Sequence, residues 1–303
     1  MAVAGFPPVR ACIFDMDGLL INSEDKVALS TNELLTKYGR PPLTAAIRAR
    51  LVGVPKSTNG DTFHEWAQLP ISRDEFARES SQNMRLHFPD CEPLPGAEQL
   101  LSNLSRAVTG TPASASSSHS RPVGMALALA SSTTAVTFAL KTTRPETARL
   151  LGHFPPDRRV LGDDPRLGPG RAKPAPDIYL LALRSLNDAA TEAKAAGALL
   201  AADPGVAYTH RPILPSECLV FEDSVVGVEA ARRAGMRVVW VPHPDLAVEY
   251  EPVLREVLAG RTGMVRLAGG DDSEPGEIDD GWAETIPSVA HFDYEKYDIQ
   301  IPQ

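Results

Sequence analysis

The sequence predicts an α/β fold in which a doubly wound, Rossmann-like parallel sheet forms the core and a small inserted helical domain caps it. Apolar runs at residues 9–14, 123–130, 219–221 and 238–241 have the uninterrupted hydrophobicity of buried parallel strands. Polar residues or a helical segment follow each run, which predicts a repeat of strand, loop and helix with helices on both faces of the sheet. Residues 23–91 show helical periodicity instead, which indicates a separate helical unit.

Composition and charge limit the partners of the chain. Its 303 residues are 43% hydrophobic and 23% charged, as expected for a globular protein long enough for two domains. The formal net charge of -9 opposes broad attraction to nucleic acid or to an anionic membrane surface, so we expect neither as a partner. The three cysteines lie far apart without a CxxC spacing, which predicts buried thiols in a reducing compartment.

One uncharged stretch, residues 123–140, approaches the length of a membrane span. Four hydroxyl residues at its centre, at 131–134, argue against a spanning helix, and a strand followed by a polar turn and a helix start explains it better. The first ten residues lack the charged segment and apolar run of a signal peptide. We therefore expect a cytoplasmic monomer.

Composition also divides the chain into a core, a cap and an extension. The predicted core comprises residues 1–22 and 94–265, and the predicted helical cap comprises residues 23–93. A Ser-rich segment at 109–122 and an Ala-rich segment at 189–211 are interpreted as insertions in the core. An acidic run predicts a C-terminal extension at 266–303, whose aromatic residues favour packing against the body.

Two carboxylates follow the first predicted strand. Asp15 and Asp17 stand two residues apart, and Gly18 permits a sharp turn after them. Open α/β sheets place their chemistry at the carboxyl ends of the strands. At this spacing one carboxylate can attack phosphorus to form an aspartyl phosphate, while the other protonates the leaving alkoxide and then activates water. Taken alone, the motif is also compatible with an ordinary polar loop.

Two further residues can hold a phosphate group. Ser131 ends the second run, where its hydroxyl and the N–H groups of the next helix can donate to a phosphate oxygen, although it can equally cap that helix. Lys173 is flanked by residues that stiffen the chain, including Pro174 and Pro176. Its ammonium can therefore act as a fixed positive charge beside a transferring phosphoryl group.

Adjacent acids, Glu222 and Asp223, end the third run. Buried acids need a compensating charge, and a hard cation with oxygen ligands supplies it. Asp15, a backbone carbonyl near Asp17, and Asp223 would offer Mg²⁺ a partial shell with room for phosphate oxygens and water. Helix capping by Asp223 is the alternative. Because one reaction needs all four motifs, the sequence predicts a Mg²⁺-dependent phosphatase.

The four motifs resemble, in order, those of the haloacid dehalogenase superfamily. They are Phe14-Asp15-Met16-Asp17-Gly18-Leu19-Leu20, Ala130-Ser131-Ser132, Lys173-Pro174 and Phe221-Glu222-Asp223-Ser224. The resemblance implies a nucleophile at Asp15, a general acid/base at Asp17, phosphate binding by Ser131 and Lys173, and magnesium binding by Asp15, Asp17, Asp223 and Glu222. We also expect Met16 and Ser132 to contact the substrate. The helical block after the first motif looks like the small cap domain of that superfamily.

Wider stretches, at residues 88–98, 161–165 and 218–223, resemble the eukaryotic pseudouridine-5'-phosphatase branch. Glycerol-phosphate and sugar-phosphate phosphatases share the catalytic motifs, so the identity of the small phosphorylated metabolite stays open. Asn22 and Ser23 depart from the Asp and Thr that relatives often have. A phosphomutase would keep every motif and pass the phosphate to a sugar. A dehalogenase would not require Asp17, because it has no leaving alkoxide to protonate. A non-catalytic scaffold would not require the complete set of acids.

The predicted cap has hinges near Ser23 and Pro93, so that it can close, exclude bulk water and read the leaving group. Lys56 is our hypothesis for a cap residue that contacts the substrate, with Arg50 as the alternative. Solvent exposure is the ordinary fate of both residue types.

Overall fold

The computed structural model describes residues 5–51, 56–109, 123–195, 211–263 and 273–302. The strands within these ranges are β1 (Ala11–Phe14), β2 (Val108–Thr109), β3 (Val123–Gly124), β4 (Ala126–Ser131), β5 (Arg159–Leu161), β6 (Cys218–Glu222), β7 (Arg237–Trp240), β8 (Ala283–Thr285) and β9 (Ile299–Gln300). Six of them form a parallel sheet in the order β5-β4-β1-β6-β7-β8. The predicted α/β class with a doubly wound parallel sheet is confirmed.

Helices cover both faces of this sheet and form the cap. They are α1 (Ser23–Lys37), α2 (Ala45–Leu51), α3 (Lys56–Ala67), α4 (Arg73–His87), α5 (Ala97–Arg106), α6 (Ala135–Lys141), α7 (Pro145–Leu151), α8 (Asp177–Ala195), α9 (Val225–Arg233), α10 (Pro244–Tyr250) and α11 (Leu254–Ala259). Alternate residues of β1 face opposite layers: Cys12 and Phe14 pack in the layer that contains α5, and Ala11 and Ile13 pack in the layer that contains α8. The sheet is therefore buried on both sides.

The register of the sheet brings three strand ends together. Phe14 at the end of β1 lies opposite Leu129 of β4 and Phe221 of β6. The side chains that follow on β1, β4 and β6 consequently emerge at one edge of the sheet, and these strands carry the predicted catalytic motifs.

The cap, defined here as residues 23–92, contains α1 to α4 and a small apolar cluster of its own around Leu35, Phe63 and Ala67. The chain enters and leaves it side by side, because the N–H of Asn22 donates to the carbonyl of Glu92 (3.0 Å) and the N–H of Leu94 to the carbonyl of Leu20 (2.9 Å). These two passages coincide with the predicted hinges.

Several segments differ from the predicted elements. The apolar run predicted as one strand at 123–130 is split at Met125, so that β3 pairs with β2 while β4 joins the parallel sheet. Residues 110–122 of the predicted Ser-rich insertion lie outside the described residues. So do residues 196–210 of the Ala-rich insertion, whose first part simply lengthens α8 to Ala195.

The described part of the predicted C-terminal extension, 273–302, packs against the core. β8 adds a sixth parallel strand beside β7, and β9 pairs with β2. Phe292 contacts Phe221 edge to face at 4.9 Å between ring centroids, so the aromatic residues of this segment complete the core beneath β6.

The cysteines and the helices bear on two further expectations. Cys12, Cys91 and Cys218 are buried and free, as expected of structural thiols. Among the residues that the structure describes, every helix is too short or too polar to cross a bilayer.

Candidate functional site

The loop after β1 turns sharply and places its two acids at the carboxyl edge of the sheet. The N–H of Asp15 donates to the carbonyl of Phe221 (3.0 Å), which continues the pairing with β6. Gly18 has φ +76°, and a Cβ there would collide with a carboxylate oxygen of Asp223. Glycine is thus required both for the turn and for the approach of Asp223. The side chain of Met16 is fully buried, so only its backbone can face a substrate.

A buried ammonium lies between two of the acids. Lys173 Nζ donates to Asp15 Oδ1 at 2.6 Å, to Glu222 Oε1 at 2.5 Å and to the carbonyl of Ala130 at 3.2 Å. The side chains of this triad are at most 8% exposed. The predicted first, third and fourth motifs therefore meet at one point.

Protein donors surround the carboxylate of Glu222. Besides Lys173, the hydroxyl of Tyr179 donates to Oε1 at 2.6 Å, and the N–H and hydroxyl of Ser224 donate to Oε2 at 2.9 and 3.0 Å. A Cβ at Gly227 would collide with this carboxylate, so the glycine leaves it room. With both oxygens accepting from the protein, Glu222 is arranged to hold Lys173, whereas the sequence grouped it with the metal ligands.

Burial and charge shift the pKa values of this cluster. Burial raises the pKa of the Asp15 carboxyl to about 7, against the opposing charge of Lys173. Burial and the neighbouring charges of Glu222 and Asp15 raise the pKa of Asp223 well above its ordinary value. Burial alone would lower the pKa of the Lys173 ammonium, but the two carboxylates outweigh it and hold that pKa well above its usual range. The positive charge of Lys173 therefore offsets only part of the negative charge of these acids.

A divalent cation would offset the remaining negative charge of this cluster. When ionised, the carboxylates of Asp15, Glu222 and Asp223 outnumber the single ammonium by two charges, which an ion such as Mg²⁺ offsets. Within the described ranges no three His, Cys, Asp or Glu side chains are grouped as a complete metal site. The donor set suits the incomplete protein shell that Mg²⁺ accepts when water and phosphate supply the remaining oxygens.

Asp17 has a different set of partners. Its Oδ1 accepts from the hydroxyl of Ser23 and from Lys141 Nζ, both at 2.5 Å, while its Oδ2 lies 3.4 Å from the hydroxyl of Ser131. Ser131 is fully buried, and its oxygen also accepts from the N–H of Thr133 (3.2 Å). The second motif thus joins the first through a hydrogen bond between side chains.

Lys141 was absent from the sequence-based prediction. It is the last residue of α6, a position where the positive charge of lysine interacts favourably with the helix dipole. The sequence feature that could have identified Lys141 is its position as the first charged residue after the uncharged run at 123–140.

Three further residues were predicted to contact the substrate. Ser132 is exposed, and its carbonyl packs against Gly162. Lys56 begins α3, and its side chain lies outside the described residues. Arg50 is 59% exposed and pairs with Glu249 of α10 at 3.4 Å, so in this structure it holds α2 against the core.

Comparisons with known proteins show the family of the chain. A family model described as haloacid dehalogenase-like hydrolase matches residues 9–235. A probable pseudouridine-5'-phosphatase of Saccharomyces cerevisiae is 36% identical over 78% of this chain and 84% of its own. A (DL)-glycerol-3-phosphatase of Arabidopsis thaliana is 30% identical over 84% of this chain and 72% of its own. Among solved structures, a putative beta-phosphoglucomutase of Thermotoga maritima matches with a TM-score of 0.50 and 25% identity, over 82% of this chain and all of that one.

Proposed function

We propose, from the premise that the chain belongs to the haloacid dehalogenase-like hydrolases and is a phosphatase, that Asp15 is its nucleophile toward a small phosphomonoester. The observation that carries this proposal is the buried contact of Asp15 Oδ1 with Lys173 Nζ. That contact fixes the carboxylate at the sheet edge and leaves Oδ2 to attack phosphorus.

The proposed reaction has two steps. In the first, the Asp15 carboxylate bonds to phosphorus, the bond from phosphorus to the leaving oxygen breaks, and that oxygen takes a proton from Asp17. In the second, water gives a proton to Asp17 and attacks the phosphorus of the aspartyl phosphate, which returns Asp15 to its carboxylate form. In this proposal the hydroxyl of Ser131, which lies 3.4 Å from Asp17 Oδ2, and the backbone N–H groups of Met16 and Asp17 donate to phosphoryl oxygens.

The proposed cofactor is Mg²⁺, with Asp15, Asp223 and the main-chain carbonyl of Asp17 as its protein ligands. A bound Mg²⁺ supplies positive charge that stabilises the transferring phosphoryl oxygens. Asp223 suits this role because it is 4% exposed and faces the loop at Gly18. Glu222 acts indirectly in this proposal by holding Lys173.

Pseudouridine 5'-phosphate is the first candidate substrate, on the strength of the yeast relative's similarity to this chain. Glycerol 3-phosphate is the second, because the Arabidopsis relative carries that activity in its name. A phosphomutase remains an alternative, since the Thermotoga structure shares the fold. A monomer in the cytoplasm is part of the same proposal, and the three free, buried thiols support a reducing environment.

The experiment that tests the function measures phosphate release with Mg²⁺ from a panel of pseudouridine 5'-phosphate, other nucleotides, glycerol 3-phosphate and hexose phosphates. We expect one preferred substrate with a kcat/KM at least about 10-fold above the next, because a cap that reads the leaving group discriminates in the transition state. Release from none of these substrates would contradict the phosphatase proposal. Conversion of a hexose phosphate to its isomer without phosphate release would identify the mutase.

Mg²⁺ is expected to stabilise the metal-free protein against heat, because a cation that binds only the folded site shifts the unfolding equilibrium. At about 100 times its Kd, the gain is about 2.7 kcal/mol. Asp223→Asn should remove most of that gain, since it takes away a buried carboxylate that is a proposed ligand of the cation. Thermal melts with EDTA and with Mg²⁺, at matched ionic strength, measure both effects.

Asp279→Asn is the matched control, because Asp279 is exposed and pairs with Arg255 on the surface. It should keep the full Mg²⁺-dependent gain in melting temperature. An unchanged gain in Asp223→Asn would rule out Asp223 as a ligand.

A further inference from the structure

Lys141 occupies an unusual place for a lysine. Its side chain is 7% exposed, and Nζ lies 2.5 Å from Asp17 Oδ1 and 3.4 Å from Thr133 Oγ1. The ammonium also lies 4.7 Å from the centre of the Phe88 ring, a distance at which a cation is attracted to an aromatic face. Burying an ammonium is costly unless a partner compensates it, and here that partner is Asp17.

The contacts of Asp17 divide its two oxygens between separate tasks. Oδ1 accepts two short hydrogen bonds, from Lys141 and from the hydroxyl of Ser23. Among the described residues, Oδ2 has a single hydrogen-bond contact, the long one of 3.4 Å with Ser131. A carboxylate held at one oxygen in this way presents its other oxygen in a fixed direction, as proton transfer to a substrate requires.

Lys141 reaches this position because of the short helix that carries it. Thr134 caps the start of α6, where its hydroxyl accepts from the N–H of Thr137 (3.3 Å), three residues after the phosphate-binding candidate Ser131 at the end of β4. Two turns later the helix ends at Lys141, whose side chain extends back to the site. The same element therefore follows Ser131 in the chain and anchors Asp17 in space.

We propose that Lys141 is a positioning residue that fixes Asp17 Oδ1, so that Oδ2 exchanges protons with the leaving group and with water. This inference rests on the proposed phosphatase function. It assigns Lys141 a task distinct from that of Lys173, which contacts the nucleophile Asp15. The loss of Lys141 should therefore impair proton transfer and leave attack on phosphorus largely intact.

The test compares an alkyl phosphate with para-nitrophenyl phosphate, whose leaving group departs without a proton. With the preferred alkyl phosphate, Lys141→Met should lower kcat by about 10- to 100-fold while KM changes by less than about 3-fold. With para-nitrophenyl phosphate, the rapid first turnover should stay within about 3-fold of the wild-type rate, followed by a slower steady state because water activation also needs Asp17. Rapid-mixing absorbance measurements separate these phases.

A binding measurement separates positioning from phosphate binding. Competitive inhibition by inorganic phosphate should be unchanged within about 3-fold in Lys141→Met, because a positioning residue does not touch the phosphoryl group. Lys141→Gln keeps an N–H donor without the charge, and it should recover part of the kcat on the alkyl phosphate. If Lys141→Met does not fold, Lys141→Gln carries the same comparison of substrates.

Lys37→Met is the matched control. Lys37 is also the last residue of a helix, α1, but its side chain is 55% exposed and pairs with Glu79 on the cap. It should show wild-type kinetics with both substrates.

Any one of four outcomes would overturn the inference. Equal losses with both substrates in the first turnover, or a weakened inhibition by phosphate, would make Lys141 a phosphate-binding residue. Normal kcat in the Lys141 variants would deny it any role. Absence of turnover by the wild-type protein would refute the phosphatase proposal itself, and the inference with it, and that result is distinct because it appears without any substitution.

Discussion

Asp15→Asn should abolish turnover, with a fall in kcat of about 10,000-fold or more, because the amide cannot form the proposed covalent intermediate. Asparagine has nearly the same size as aspartate, and it removes a carboxyl whose pKa burial raises to about 7. The fold should therefore persist, and thermal melts of the variant should show an intact transition. Phosphate release from the preferred substrate measures the loss.

Trapping the intermediate gives a second, direct readout. Wild-type protein quenched in acid during turnover of radiolabelled substrate should retain phosphate that hydroxylamine releases, as expected for an acyl phosphate, and Asp15→Asn should retain none. Asp157→Asn serves as the control, because Asp157 is 62% exposed and lies outside the site. Labelled phosphate on the Asp15→Asn protein would place the nucleophile elsewhere.

Lys173→Met is expected to damage activity and stability together. Loss of the fixed positive charge should lower kcat by about 100- to 1,000-fold, the range found when one electrostatic donor to a transition state is removed. The metal-free protein should lose about 3–5 kcal/mol of stability, because the variant leaves Asp15 and Glu222 buried without the ammonium between them. Urea unfolding with EDTA, followed by circular dichroism, measures the second effect.

The pH dependence of this destabilisation has a definite sign. A carboxyl whose pKa is raised by folding binds a proton more readily in the folded state, so its protonation favours folding at lower pH. In wild-type protein the pKa of Asp15 is already raised to about 7, and loss of the opposing charge of Lys173 raises it further. The stability deficit of Lys173→Met should therefore shrink as the pH falls from the raised pKa of the variant toward about 7, and level off below about 7, where Asp15 is protonated in both folded proteins.

A double variant separates charge from packing. Lys173→Met combined with Glu222→Gln removes the ammonium and one of its two carboxylates, and it should regain part of the lost stability without regaining activity. If Lys173→Met alone unfolds at the wild-type urea concentration, the triad does not stabilise the fold in the way its geometry indicates.

The sequence predicted the layers of the fold well where the signal was hydrophobicity. β1, β4, β6 and β7 are central strands, and their uninterrupted apolar runs distinguish them from the surrounding segments. The edge strands were missed because each has three residues and carries polar side chains, such as Arg159 in β5 and Glu284 in β8. Such strands depend on a neighbour for their structure, and periodicity within a single sequence does not contain that neighbour.

The sequence likewise predicted one part of the candidate site and not another. The motif positions predicted that Asp15, Ser131, Lys173 and Asp223 would meet, because the carboxyl ends of parallel strands share an edge. Sequence could not predict which of two adjacent acids would face Lys173, because that depends on Tyr179 and on the space at Gly227. The contact of Lys141 with Asp17 spans 124 positions of the chain and depends on the length of α6.

The side-by-side passages of the chain at the base of the cap have an evolutionary consequence. The backbone N–H of Asn22 is hydrogen-bonded to Glu92, and that of Leu94 to Leu20. The cap is therefore an insertion whose two ends meet at one point of the core. A unit inserted in this manner can be lengthened, replaced or recombined without altering the register of the strands beneath it. Descendants of such a chain can therefore change this inserted unit while the acids at the strand ends remain in place.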